Sequence, residues 1–395
     1  MYFKLNTKLA KKLLVLFNRV TDARSSMSVL GAISMTVQPQ NKIDLRATDL
    51  DMDLRVTLKA KDTKPREGMC IVNCANVLKL VRKIKAPSVA LSASTPKDSV
   101  LPKMILQAGK ADFSIDALAP VDYPDWEEDL IETCAYVNYY GLQRVVSQVD
   151  HAASFDDARP HLSSMLFEMT EDEELMCVAT DGHRLALSST DIEGFAGNVS
   201  HEGAALVSRY AIINLLHVFK TFHDSNQCTV AFGQKYMHIN IVLGKDSEVE
   251  SVYMKLKLND CKFPNYKNVI NKNAPKWHII VKRNELLEAA DMLSVVDNVL
   301  RIQGIGTTLM LMSQSDEMNG TQHIEGRRSN VRATQPKVED QKKPALVMNK
   351  YIRDVLKAWS DESEVQIRMY GPLDQIHIRG VTTHPFAIVM PKRLN

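Results

Sequence analysis

The chain has 395 residues, of which 45% are hydrophobic and 24% are charged, and its formal net charge is +2. This composition is typical of a globular protein, and the length predicts two or three hydrophobic cores. No apolar run reaches the roughly 18 residues that span a bilayer, and the N-terminus lacks the features of a signal peptide, so we expect a cytoplasmic protein without a membrane partner. Because the net charge is small, a nucleic-acid site must be sought in the positions of the charges.

Two amphipathic helices are predicted in the first third of the chain. Apolar residues recur at helical spacing over 9–20, with Thr7 as the expected N-cap, and the pattern returns over 77–84 after Asn73. Pro87 should stop the second helix. The polar faces of both helices are densely basic and include Lys8, Lys12, Lys79, Arg82 and Lys83.

The same plan recurs in the rest of the chain. Apolar spacing predicts helices over 142–149, 208–222, 286–293 and 351–359. Alternating runs between them, such as 237–242, predict half-buried antiparallel strands. The pattern indicates α+β units, each with two helices packed on curved antiparallel sheets. The outer faces of these later helices also carry basic residues, namely Arg209, Lys220, Lys350, Arg353 and Lys357.

Two sequence landmarks repeat in step along the chain. Residues 177–187 place Ala-Thr-Asp between two strand-like runs, and weaker copies follow the same plan at 45–54 and 309–316. Alternating strands that end near a proline occur in each third, since proline withdraws a ladder donor. We therefore predict three similar domains, which comprise residues 1–128, 133–268 and 275–395.

The polar segment 314–344 interrupts this pattern. It contains Glu-Gly-Arg-Arg and ends in Lys-Lys-Pro. A structureless loop of this length is uncommon inside a domain, so we expect weak edge strands together with a loop.

No motif for catalysis, cofactor binding or metal binding is present. The sequence lacks a phosphate-binding loop, a dinucleotide-binding glycine motif, a zinc-protease motif and a hydrolase nucleophile motif. The six cysteines form no Cys-x-x-Cys pair and are expected to be buried reduced thiols. We expect Asp49, Asp51 and Asp53 to lie on a solvated strand face and to bind no metal.

The cluster at residues 181–184 suggests acid–base chemistry but is explained better as a turn. Asp181 and Gly182 should form a tight turn with the glycine at positive φ, and His183 and Arg184 should begin the next strand. A general base needs a partner and a pocket, which adjacency in sequence does not supply.

Taken together, these motifs resemble those of the bacterial-type DNA polymerase III beta sliding clamps, over the whole length of the chain. The resemblance is strongest at 165–168 and 179–186, and it continues at 263–266 and 389–394. Residues 29–31 and 48–52 match the first domain of the family. The match is poor over 314–344.

The resemblance implies a head-to-tail homodimer, in which two three-domain chains close into a ring with helices lining the hole. Such a ring would encircle duplex DNA without reading its sequence and would tether the replicative DNA polymerase and other clamp-motif proteins. It would need an ATP-dependent clamp loader, would use no cofactor and would catalyse no reaction. The basic helix faces would then point at the DNA, and Arg24 matches a family position that touches the duplex. At the ring interface, Phe113 and Ile115 of one chain would meet Met292 and Leu293 of the other.

The family also has a peptide-binding groove between its second and third domains, which accepts short motifs of Gln and Leu/Phe character. Asn268 stands where a basic residue is common, Lys392 stands where Met is common, and Asn395 extends the usual C-terminus. Partner preference could therefore differ from that of other members. By resemblance, the groove is made by Leu162, Thr180, Gly182, His183, Arg184, Leu185, Pro264, Val269, Ile388, Val389, Met390, Pro391 and Arg393.

Two other interpretations stay open from the sequence alone. The weak match of the third domain would permit an open or monomeric clamp-fold protein that binds DNA or regulates another protein. An enzyme that uses Asp181, His183 and Arg184 is the second alternative. The sequence does not identify the polymerase or loader that is served, or a chromosomal against a mobile-element origin.

Overall fold

The computed structural model describes residues 1–59, 65–94, 102–196, 203–223, 225, 227–328 and 344–392. The chain forms two compact units. Unit 1 comprises Met1–Gly141 and Asp191–Leu258, and unit 2 comprises Leu142–Thr190 and Asn259–Asn395. Few helices pack on antiparallel sheets in both units, which confirms the predicted α+β class. The three domain boundaries expected from the sequence stay a prediction.

Each of the six helices in the described part of the chain follows directly after a strand, two in each third of the sequence. Asn73 and Ser208 act as N-caps, since their side chains accept hydrogen bonds from Asn76 N and Ala211 N. The predicted cap at Thr7 is wrong, because Asn6 caps that helix. The helices are α1 (Thr7–Val20), α2 (Cys74–Lys83), α3 (Tyr139–Val149), α4 (Arg209–Thr221), α5 (Arg283–Leu293) and α6 (Asn349–Ala358).

Unit 1 contains two antiparallel sheets and the strand β13 (Gly203–Ser208). The four-stranded sheet has the order β1 (Tyr2–Asn6), β6 (Ser88–Ser94), β7 (Lys103–Ala108) and β8 (Ala111–Asp116), so β8 lies at an edge. The longer sheet has the order β5 (Gly68–Asn73), β2 (Ala32–Val37), β3 (Lys42–Thr48), β4 (Met52–Lys59), β16 (Val249–Lys257), β15 (Tyr236–Val242), β14 (Gln227–Gly233), β9 (Ile131–Asn138) and the end of β12 (Arg184–Phe195).

Unit 2 also contains two antiparallel sheets. One has the order β17 (Trp277–Lys282), β22 (Glu364–Met369), β23 (Ile376–Gly380), β24 (Phe386–Val389), the start of β12, β11 (Glu174–Thr180) and β10 (Ser164–Met169). The other has the order β20 (Asn319–Glu325), β19 (Thr308–Gln314), β18 (Val299–Ile305) and β21 (Ala345–Met348). The edge strand expected within 314–344 is therefore present as β20, while residues 329–343 lie outside the described part.

In helices α1 and α2, apolar side chains face the core and basic side chains face solvent. In α1 and α2, Leu13, Phe17, Val77 and Val81 are buried, and each such side chain contributes roughly 1.5–3 kcal/mol to folding. The basic residues of the opposite faces are exposed, except for the half-buried Lys11, whose Nζ donates to Ile84 O at 2.9 Å. Core packing thus holds the basic faces toward solvent.

The three aspartates near residue 50 do not share a solvated face, and that prediction was wrong. Asp49 lies in the turn before β4, where its Oδ1 accepts hydrogen bonds from the backbone N–H groups of Asp51 and Met52 at 3.1 and 2.7 Å. Burial raises the pKa of Asp49 to about 6. Asp53 is buried beside Arg46, whose Nε and Nη2 donate to its Oδ1 at 3.0 and 2.9 Å.

The described ranges lack features for metal binding or membrane crossing. They hold no cluster of three or more His, Cys, Asp or Glu side chains positioned for a metal ion. No helix in them is both long and apolar enough to cross a membrane. All six cysteines are free, and four of them are buried.

His377 is a fully buried histidine in β23. Its Nδ1 lies 3.0 Å from the Tyr370 hydroxyl, and its Nε2 lies 2.6 Å from Gln375 Oε1. Burial lowers the pKa of His377 from 6.5 to about 3, and the neighbouring positive charges of Arg379 and Arg368 act in the same direction. The folded protein therefore keeps this ring neutral.

We expect His377 to make stability depend on pH. The unfolded chain takes up a proton as pH falls through 6.5 while the folded chain does not, so stability declines from pH 6.5 toward pH 3. Between pH 7 and pH 4.5 the decrease attributable to this ring should be roughly 1–3 kcal/mol. Urea unfolding followed by circular dichroism should show a flatter pH dependence for His377→Gln than for the wild type. The exposed His183→Gln serves as the matched control, and equal slopes for His377→Gln and the wild type would contradict the assignment.

Candidate functional site

The turn at residues 180–184 is held by side chains that bind its backbone. Thr180 Oγ1 accepts a hydrogen bond from Gly182 N at 3.1 Å and donates one to Arg184 O at 2.6 Å. Asp181 Oδ1 accepts from the N–H groups of His183 and Arg184 at 2.9 and 3.0 Å. Gly182 has φ of +89°, a conformation that favours glycine. The predicted turn is confirmed, and the Asp181 carboxylate is engaged in it.

The Arg184 side chain links this turn to α6 through ion pairs and a ring contact. Its Nε donates to Asp181 Oδ2 at 3.0 Å, its Nη1 donates to Asp354 Oδ2 at 2.7 Å, and its guanidinium lies 4.6 Å from the centre of the Tyr351 ring. The side chain is buried between two carboxylates. Asp354 and Tyr351 were missed by sequence reasoning, because nothing in the sequence links α6 to a turn about 170 residues away.

Strand pairing brings the turn to the C-terminal strand. β12 pairs with β24 in a register that opposes Arg184 to Val389 and Leu185 to Ile388. The backbone N–H of Met390 donates to His183 O at 2.9 Å. The residues expected from the resemblance on both sides of a groove, 180–185 and 388–391, are therefore adjacent in unit 2.

An apolar cluster lies beneath this junction, and we call it the groove floor. Its central ring, Tyr266, is fixed by a hydrogen bond from its hydroxyl to Glu168 Oε2 at 2.6 Å. Partly buried apolar residues, among them Leu166, Phe263 and Ile270, pack against its edges. The groove floor consists of Val178, Leu185, Tyr266, Phe386 and Ile388.

The groove rim is formed by residues that remain accessible. Met390 is 38% exposed and Val269 is 46% exposed. Gly182 and His183 are exposed, and Pro264 and Pro391 are half-buried. A ligand would meet these side chains before the buried ones, namely Leu162, Thr180, Arg184, Leu185, Ile388 and Val389. Arg393 lies outside the described residues.

Two amides that sequence reasoning missed position the groove walls. Gln375 donates from Nε2 to Val269 O at 2.8 Å and accepts at Oε1 from Asn271 N at 3.1 Å. The buried Gln148 donates to Asp361 Oδ2 at 2.9 Å and accepts from the Ser188 hydroxyl at 2.6 Å. The bonds of Gln375 hold the segment at 269–271, and the satisfied partners of the buried Gln148 fix the position of β12 at Ser188.

The basic residues differ in whether they are exposed and in whether a carboxylate pairs with their charge. In unit 1, Lys8, Lys12, Arg24, Lys79, Arg82 and Lys83 are exposed, and none forms an ion pair with another described residue. Lys220 and Lys350 are exposed, and Arg209 is half-buried. In unit 2, Arg353 donates to Asp291 Oδ1, and Lys357 Nζ lies 3.3 Å from the same oxygen. The positive charge of α6 is therefore partly neutralised.

The residues expected at a chain–chain interface fall into two groups. Phe113 and Ile115 lie on one face of the edge strand β8 and are half-buried. Met292 is 54% exposed, whereas Leu293 is 2% exposed and packs inside its own unit near Gly320. Leu293 is thus already packed in the core of its own unit and Met292 is accessible, and the expected contact of both residues with a second chain stays a prediction.

Two family models match the chain. The model of the DNA polymerase III beta subunit, N-terminal domain, matches residues 1–127, and the model of the central domain of the same subunit matches residues 137–265. Together they cover more than half of the chain.

Curated relatives match over nearly the whole length. The beta sliding clamp of Salmonella typhimurium is 26% identical over 384 residues, and that of Escherichia coli (strain K12) is 25% identical over 384 residues. Each alignment covers 94% of this chain and 94% of the relative. The alignments thus include most of the C-terminal third of the chain, which does not support the alternative of an open clamp-fold protein.

Solved structures share the fold over the full chain. The DNA polymerase III subunit beta from Pseudomonas aeruginosa superposes with a TM-score of 0.80 at 20% identity, and the sliding clamp from Bacillus subtilis with a TM-score of 0.82 at 18% identity. Both comparisons cover 100% of each chain. The chain therefore belongs to the DNA polymerase III beta subunit family, the beta sliding clamps, which are processivity factors of DNA replication and not enzymes.

Proposed function

We propose that two copies of this chain close head to tail into a ring around duplex DNA and hold the replicative DNA polymerase through the groove. Other proteins with a clamp-binding motif would share that groove, and an ATP-dependent loader would open the ring in the cytoplasm. The observation that supports this proposal is the buried apolar cluster of the groove floor, which is bordered by the accessible side chains of Met390 and Val269.

The groove suits a short peptide with apolar anchors. Hot spots in protein interfaces are well-packed apolar pockets bordered by groups that exclude water. Met390 and Val269 offer exposed apolar surface, and the floor beneath them is already ordered by strand pairing and by Tyr266. A preorganised pocket loses little entropy on binding. Tethering then keeps a polymerase near DNA at high effective concentration after it lets go.

Placing a charge on the groove rim should weaken peptide binding. Met390→Asp should weaken a fluorescently labelled Gln/Leu/Phe peptide by at least about tenfold in fluorescence anisotropy, since removal of a central anchor commonly costs 2 kcal/mol or more. Met27→Asp, which alters an exposed methionine of unit 1, is the matched control and should bind normally. Unchanged affinity for Met390→Asp would remove the groove from the proposed function.

The exposed basic residues of α1 and α2 suit a sequence-independent contact with duplex DNA. Lys8, Lys12, Lys79, Arg82 and Lys83 project from the helix faces opposite the core. Lysine and arginine contacts to phosphates supply affinity without reading bases and weaken with salt. Such contacts would let a ring slide along the duplex.

Neutralising two of these lysines should change the salt dependence of DNA binding. Lys79→Gln with Lys83→Gln should weaken binding equally for unrelated duplexes and lower the salt slope by at most about 0.9 for each phosphate that is no longer neutralised. Lys4→Gln with Lys110→Gln is the matched control, because both lysines are exposed in unit 1 but lie outside its helices. A salt slope equal to that of the wild type would place Lys79 and Lys83 away from DNA.

Edge strand β8 suits the ring interface. An unpaired strand edge is a template for pairing with another chain, and Phe113 and Ile115 add apolar surface to one face of it. The exposed Met292 would supply apolar surface on the second chain.

A charge on the apolar face of β8 should open the ring. Phe113→Asp should yield a folded monomer in gel filtration with light scattering at micromolar concentration, because an unpaired charge is costly to bury in an interface. Ser114→Asp lies on the opposite face of the same strand and should remain dimeric. A dimeric Phe113→Asp protein would show that the interface lies elsewhere.

A further inference from the structure

The sheet face that carries the groove floor also carries two arginines. β22, β23, β24 and β12 are neighbours, and their register places side chains of the floor and basic side chains in common rows. One row contains Gln366, Arg379, Phe386 and Leu187, and the next contains Arg368, His377, Ile388 and Leu185.

Arg379 lies directly against the groove floor. Its guanidinium carbon is 4.5 Å from the centre of the Phe386 ring. Its Nε is buried and has no hydrogen-bond partner among the residues that the structure describes, while the side chain as a whole stays partly exposed. Arg379 therefore lies at the border of an apolar site, where a ligand would meet the exposed part of its side chain.

Arg368 lies on the adjacent strand and adds a second positive charge. Its Nε donates to Gln366 Oε1 at 2.5 Å, which is a neutral acceptor. Within the part of the chain that the structure describes, no carboxylate lies at ion-pair distance from Arg368 or Arg379. By contrast, Arg327 on the same unit pairs with Glu364 at 2.6 Å.

The lack of a carboxylate partner for Arg368 and Arg379 is energetically unfavourable for the protein without a ligand. Half-buried guanidinium groups lose hydration, and two like charges on neighbouring strands repel each other. Burial and the charge of Arg368 both lower the pKa of Arg379. Arginine binds carboxylates through paired N–H donors, so a ligand carboxylate would relieve both costs.

We propose that Arg368 and Arg379 form an anion-binding subsite beside the groove floor, which accepts an acidic side chain of the partner peptide next to its apolar anchors. The inference rests on the proposed peptide-binding function. A protein partner is favoured because Arg379 stacks on Phe386, so charge and apolar floor belong to one surface.

The strand geometry limits where the acidic residue stands. Neighbouring strands are about 5 Å apart, so the arginines lie about one and two strand spacings from the floor residues of β24. An extended peptide advances about 3.3 Å per residue. The acidic side chain should therefore lie within about three residues of an apolar anchor.

The test uses the full-length protein and a series of acetylated and amidated peptides with one Gln/Leu/Phe motif. Each peptide carries Asp at one of the three positions on either side of the anchors, and its matched partner carries Asn there. Anisotropy titrations would compare the wild type, the Arg368→Gln/Arg379→Gln double variant and the Arg327→Gln control. Blocked termini ensure that a side chain is the only source of a carboxylate, and circular dichroism checks that each variant is folded.

We expect one Asp peptide to bind the wild type and Arg327→Gln about three- to tenfold more tightly than its Asn partner. The double variant should lose that preference and still bind the Asn peptides normally. The absence of an Asp preference, or its persistence in the double variant, would overturn the inference while leaving the groove intact. Weaker duplex binding by the double variant with no change toward the peptides would overturn it in favour of a phosphate contact. Failure of all peptides to bind would instead refute the proposed function and the subsite with it.

Discussion

The Arg184 guanidinium is the interaction on which the groove depends. It is buried between Asp181 in the turn and Asp354 on α6, and it stacks on Tyr351. A buried ion pair contributes little net stability, but removing one partner leaves an uncompensated charge and commonly costs 3–5 kcal/mol. The ion pairs of Arg184 therefore act mainly by fixing the position of the turn. The position of the turn matters because its His183 O accepts a hydrogen bond from the backbone N–H of Met390.

The rest of the site extends from that fixed turn. Pairing of β12 with β24 sets Leu185 against Ile388, and the apolar floor follows from that register. A shift of one residue would turn these side chains to the opposite face of the sheet. The buried amide of Gln148 and the side chain of Gln375 hold the surrounding segments through hydrogen bonds to Asp361 and to Val269 O.

Basic residues are clustered on particular surfaces of this protein, and the small net charge does not reveal these clusters. The net charge is +2, yet α1 and α2 present exposed lysines and arginines while their apolar faces are buried. Other basic residues are paired with carboxylates, as in the pairing of Arg353 and Lys357 with Asp291. Within the described residues, Arg368 and Arg379 have no carboxylate at ion-pair distance, and Arg379 lies against the groove floor.

The sequence by itself determined the helices, the Asp181-Gly182 turn and the family. These features depend on local periodicity, capping and glycine conformation, which neighbouring residues specify. The groove segments 180–185 and 388–391 could be named in advance only because the whole chain resembles a known family.

Tertiary structure alone decided which of the named residues are accessible and which charges are paired. Leu293 and Met292 are adjacent in sequence, yet helix packing buries one and exposes the other. Asp53 has the alternation of a solvated strand residue but is buried with Arg46. Asp354, Tyr351, Arg368 and Arg379 reach the groove through contacts between residues far apart in the chain, and such contacts leave no local pattern in a single sequence.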